Sequence, residues 1–167
     1  MAHVRYATGA GVTGQKFLAL TVSFTPLKAV VDGWWEGFDM EDQQFLAALE
    51  DGTLSLAAFG HRAHLRAGFL YLAKHDFPGA CVAMKRAIVG FADRHGKADL
   101  YHETLTVAYL ALLAERRADE ATTIGFDDFI GRYPELEDIN YFRRYYPTGS
   151  LDYPDARSTF LLPRPRD

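Results

Sequence analysis

The chain has 167 residues, 49% of them hydrophobic and 14% aromatic, with a formal net charge of −4. That length and apolar content predict one domain with a single core and exclude a disordered chain. The acidic balance, with no basic cluster denser than Arg143-Arg144, excludes a nucleic-acid footprint.

No apolar run reaches the roughly 18 residues that a membrane span needs. The N-terminus lacks the apolar stretch of a secretory signal, so the expectation is a soluble, cytoplasmic protein with no membrane partner. Cys81 is the only cysteine, which excludes an intrachain disulfide and a thiolate zinc cluster.

Residues 1–38 hold five glycines and no sustained helical period. They are expected to form an irregular arm, with one short strand at 17–24. Within it, GAGVTGQK lacks the Lys-Ser/Thr ending of a phosphate loop. Trp34-Trp35 is expected to anchor the arm on the bundle or to seal a homodimer contact.

From Asp39 onward the pattern turns helical. Asp39 caps MEDQQFLAALE (40–50), and Asp51-Gly52 stops it. Thr53 or Ser55 starts a second helix over 55–75, and Pro78 opens a third over about 79–94. Asp99 is expected to cap a fourth, LYHETLTVAYLALLAERR, and a shorter helix follows from Thr122 or Thr123 to Tyr133-Pro134. Connections this short make consecutive helices neighbours.

The prediction is therefore all-α: a compact bundle of four to five antiparallel helices stacked as helical hairpins. An irregular N-terminal arm over 1–38 precedes a single helical domain over 39–167. In the tail, Pro154-Asp155 starts one short helix, and the aromatic rings around it predict a wrapped C-terminal tail lying over helices 55–75 and 99–117, shielding the histidines.

Three histidines carry the functional expectation. His61 and His64 are three residues apart in FGHRAHLR (59–66), so both imidazoles share one helical face with Gly68 and Tyr71. His102 in YHET shares a stripe with Thr106 and Tyr109. Three imidazoles with an open position are what a catalytic metal needs. The leading expectation is a small metal-dependent enzyme acting on a small polar or carboxylate-bearing metabolite. In it, His61, His64 and His102 hold a divalent transition metal (iron, zinc, manganese, copper or nickel, not distinguished). Glu103 is the fourth ligand or general base, Arg66 orients the substrate bidentately, and Tyr101 or Tyr109 donates a proton.

Two alternatives stand beside it. One is a metal-free lyase or isomerase in which histidines divide the acid and base roles. The other is a helical interaction module with no chemistry, its stacked hairpins offering a groove to peptides.

The motifs F-x-H-x-x-H-L-R (59–66), Y-H-E-T-x-T (101–106) and Y-Y followed by A-R-x-x-F (145–160) resemble those of a family of small bacterial helical proteins. The resemblance covers residues 55–162. It implies that the two histidine motifs act as a unit, and it implies no particular activity.

Overall fold

Glu41 and Asp42 in the first turn favour the start of α1 (Met40–Asp51), where negative charge meets the free N–H groups of the helix. These are among the first residues described in the computed structural model, which covers 40–164 apart from Thr122. The arm expected over 1–38, its strand at 17–24 and Trp34-Trp35 lie outside the described residues. Helix α1 ends at Gly52, whose φ of 76° lies in the left-handed region. A Cβ there would also collide with the Arg94 side chain, which would have to shift, so the left-handed φ is the main reason for glycine. Leu46 and Leu49, at 2% and 0% exposure, fasten α1 to the core.

The helix expected over 55–75 is two elements. Ser55 caps a 3₁₀ turn, Leu56–Ala58, by accepting from the Ala58 N–H. Helix α2 (His61–Lys74) then starts afresh with Gly60 as its N-cap. Glycine costs about 1 kcal/mol in a helix interior but little at a cap, so the chain breaks there. Helix α2 buries Leu65, Ala67, Gly68, Phe69, Leu70, Tyr71 and Ala73, which makes it the central element. At Gly68 it approaches the next partner so closely that a Cβ would meet Leu113 Cδ1 at 2.9 Å.

Helix α3 (Phe77–Arg94) is capped by Asp76, which accepts from the Gly79 N–H, with Pro78 in the first turn. Its buried residues Ala80, Met84, Ala87, Ile88 and Phe91 follow the spacing of one helical face. A turn through Gly96 (φ 65°) and a 3₁₀ segment, Ala98–Leu100, lead to α4 (Glu103–Ala118). Helices α2, α3 and α4 pack mutually, and α1 lies on α3.

Beyond α4 the elements shorten. Helix α5 (Phe126–Arg132) buries Phe126, Phe129 and Ile130, with the Phe129 ring 5.0 Å from that of Phe69. Three 3₁₀ segments follow, Pro134–Glu137, Tyr141–Tyr145 and Ser150–Asp152, and then α6 (Pro154–Ser158). The described residues thus form an all-helical bundle without strands. None of these helices is long and apolar enough to cross a membrane.

The tail wraps as expected, but onto α4. Buried Thr104 clamps it, its hydroxyl donating to Thr159 O (2.8 Å) and accepting from the Leu161 N–H (3.0 Å). Tyr146 donates to Leu161 O, and Arg157 to Asp99 O. The Thr104 and Arg157 bonds hold this tail against the start of α4.

Candidate functional site

A cavity of about 340 Å³ opens between α2, α3 and α4, and His61, His64 and His102 all line it. Its walls are mainly hydrocarbon, supplied by Phe59, Leu65, Met84, Ile88 and Leu110 among others. That volume lies in the ordinary range for small-molecule sites. Leu100 and Ile139, 61% and 65% exposed, also belong to the lining and mark its outer edge. Of all the lining residues, only Ile139 comes from beyond α4.

Each imidazole is held by the backbone. His61, the first residue of α2, donates from Nε2 to Leu136 O at 2.8 Å. His64, one turn on, donates from Nδ1 to Gly60 O at 2.8 Å. A ring nitrogen bonded to a carbonyl must carry the proton. The uncharged forms of these rings therefore keep one lone pair each, on His61 Nδ1 and His64 Nε2. His64 stacks on Phe59 with ring centroids 3.9 Å apart, and His61 meets the Tyr109 ring edge-on at 5.1 Å. Burial depresses the His64 pKa; the Gly60 carbonyl opposes the shift and neighbouring His61 adds to it. At neutral pH His64 is an uncharged base.

His102 differs, and here the sequence expectation is corrected. It is the N-cap of α4 rather than a residue on the helix face, with extended backbone (φ −139°, ψ 100°). Its Nδ1 accepts from the Leu105 N–H at 3.3 Å, while Nε2 donates to Leu151 O at 2.8 Å. Both nitrogens are engaged, so no lone pair remains for a metal. A ring flip would break both bonds. As arranged, the donor set does not fit a three-histidine shell, and no cluster of three or more His, Cys, Asp or Glu with metal-holding geometry occurs among the described residues.

The other expected site residues separate in the same way. Glu103 accepts from Lys85 Nζ (2.7 Å) and from the Tyr101 hydroxyl (2.8 Å), and it is not part of the cavity lining. It lies about 100° round the helix from His102, which turns it toward α3. Tyr101 and Tyr109 do line the cavity, but their hydroxyl hydrogens are committed elsewhere. Tyr101 donates to Glu103. Tyr109 donates to the carbonyls of Asp138 and Ile139, both at 3.3 Å. Burial, and then the Asp138 charge, push Tyr109 up to about 12. Burial, and then the Glu103 hydrogen bond, push Tyr101 up as well. Neither hydroxyl is placed as a proton donor to this cavity.

Arg66 belongs to a different cleft. Two residues beyond His64 is about 200° round a helix, so Arg66 shares a side with Arg62 instead. It pairs with Asp42 (Nη2–Oδ1 2.6 Å) and lies over the Phe45 ring at 4.9 Å. Arg62 pairs with Asp127 and Glu137. Both arginines line a second cleft of about 570 Å³ against α1 and the start of α5.

The residues missed in sequence were the hydrocarbon walls and the two anchoring carbonyls of Leu136 and Leu151. Phe59, just before the Gly60 cap, carried a readable signal, since an apolar residue there often packs back on the first turns of the helix. The carbonyl anchors carried none. Compared with known protein families, curated proteins and solved structures, the sequence finds no match.

Proposed function

We propose that the protein is a metal-independent enzyme that moves a proton on a small, largely apolar molecule held in this cavity, with His64 as the base. One observation carries the reading. His64 has its Nδ1–H fixed to the Gly60 carbonyl, burial keeps the ring uncharged, and the side chain lines an apolar cavity. A base needs to be unprotonated, oriented and within reach of its substrate, and these facts supply the first two. On accepting a proton at Nε2, the imidazolium keeps its Nδ1–H on the Gly60 carbonyl, which favours the charged form. Returning that proton to another substrate atom completes an isomerisation; losing a leaving group instead completes an elimination.

The test is incubation of an extract of apolar metabolites in deuterated water with wild-type protein and with His64→Gln. Deuterium entering a metabolite with the wild type, and not with the variant, is the expected result. Equal labelling by both removes His64 from the chemistry.

A metal-dependent reading retains one observation: His61 Nδ1 and His64 Nε2 both remain available in one cavity. It would be a two-histidine site completed by water or substrate. Elemental analysis of tag-free protein separates the two readings, a stoichiometric transition metal favouring this second one.

A further inference from the structure

The histidine and tyrosine side chains around the cavity have their donors turned to other partners. His61 and His102 each give their Nε2–H to a carbonyl outside the lining, Leu136 O and Leu151 O, and His64 gives its Nδ1–H to Gly60 O. The Tyr101 hydrogen goes to Glu103 and that of Tyr109 to the 138–139 carbonyls. The Thr106 hydroxyl, also in the lining, lies toward the Tyr101 oxygen. No Lys, Arg, Asp or Glu is among the lining residues. The side chains therefore offer a ligand lone pairs, on His61 Nδ1, His64 Nε2 and the phenolic oxygens, set in hydrocarbon.

We infer that the cavity takes an uncharged, mostly apolar ligand bearing a hydroxyl donor, an alcohol or a phenol, and discriminates against carboxylates. Removing a carboxylate from water with no cationic side chain to receive it is heavily unfavourable. An ammonium is disfavoured for the matching reason, since no carboxylate in the lining would compensate it. A hydroxyl satisfies a lone pair that would otherwise lose water without replacement when the cavity fills. Leu100 and Ile139 at the outer edge extend the apolar surface to the solvent, which suits a ligand whose body is hydrocarbon. This ligand class differs from the carboxylate-bearing metabolite expected with Arg66 as its partner. The inference rests on the cavity being the ligand site of the proposal above, and not on His64 removing a proton.

The experiment is isothermal titration of the full chain at pH 7 with three compounds on one skeleton: 2-naphthol, its methyl ether and 2-naphthoate. The naphthol should bind about tenfold or more tightly than either of the others, the magnitude of one satisfied hydrogen bond. Leu100→Arg, at an exposed position that tolerates change, places a donor at the outer edge and should raise naphthoate affinity by about fivefold or more. His64→Leu should shrink the preference for naphthol over its ether. Naphthoate binding the wild type as tightly as naphthol overturns the inference, because the anion would then have found donors in the N–H groups that open α2. Equal affinity for naphthol and ether overturns it too, as does binding of none of the three. Binding involves no turnover, so the ligand preference without deuterium transfer would remove the acid–base reading and leave this one standing.

Discussion

Replacement of His102 by alanine removes two hydrogen bonds at once, and its consequences separate a cap from a metal ligand. The Leu105 N–H loses its acceptor and Leu151 O loses its donor. Loss of an N-cap costs about 1 kcal/mol, and an orphaned, partly buried carbonyl adds about 1–2 kcal/mol. Together these destabilise the fold by roughly 2–3 kcal/mol, a fall in Tm of roughly 5–10 °C for a chain of this length. His102→Asn supplies a good cap without reaching Leu151, so it should recover about half of the loss. Circular dichroism melts of wild type and both variants read the effect. Ligand titration on the folded variants should show affinity within about threefold of wild type, since His102 offers the cavity no free lone pair. An unchanged Tm for His102→Ala, with binding or bound metal abolished, would refute the cap assignment and restore the three-histidine shell.

Thr104→Val cuts the clamp between α4 and the tail, leaving Thr159 O and the Leu161 N–H without partners; it should cost about 2 kcal/mol and raise amide exchange over residues 146–161. The depressed His64 pKa gives stability a definite pH sign. The unfolded chain binds a proton near pH 6.5, whereas the folded one resists it. Stability is therefore full above that pH and declines as pH falls through the window below it; Tm measured from pH 8 to 5 should show this slope, reduced in His64→Gln. Arg66→Ala breaks the Asp42 pair in the second cleft and should leave naphthol affinity unchanged, whereas a marked loss would place Arg66 at the histidine cavity after all.

The helical architecture was legible because its signals are local. Ala80, Met84, Ala87, Ile88 and Phe91 follow the buried face of α3, and Pro78 marks its first turn, although the cap, Asp76, lies just before the expected start. The convergence of the histidines on one cavity was also legible. His61 and His64 share a face, and His102, Thr106 and Tyr109 keep their common stripe even though His102 has become the cap. What spacing could not reveal is the state of each ring. That is decided by carbonyls 75 and 49 residues away in the chain, Leu136 for His61 and Leu151 for His102. Such partners carry no side-chain identity, so nothing in the residue types points to them.

Two local rules also competed and were resolved by the fold. Asp99 is a better cap by residue type than His102, yet the chain turns once more, through Ala98–Leu100, before α4 begins. Gly60 falls within a run whose periodicity continues unbroken, and only its backbone, at φ −80° and ψ −171°, shows that α2 starts after it. Arg66 is four residues from Arg62 and five from His61, so it falls beside the former and turns away from the latter.

The central claim is that two imidazoles present lone pairs to the cavity and the third does not. Long-range ¹H–¹⁵N NMR of the histidine rings at pH 8 tests it most directly, because it reports which nitrogen of each ring is protonated. The account predicts the Nδ1–H form for His64 and the Nε2–H form for both His61 and His102, with the His102 signals unmoved by added zinc and its protonation pattern unchanged by 2-naphthol. An unprotonated Nε2 on His102, or a His102 resonance that shifts on zinc addition together with those of His61 and His64, would contradict it.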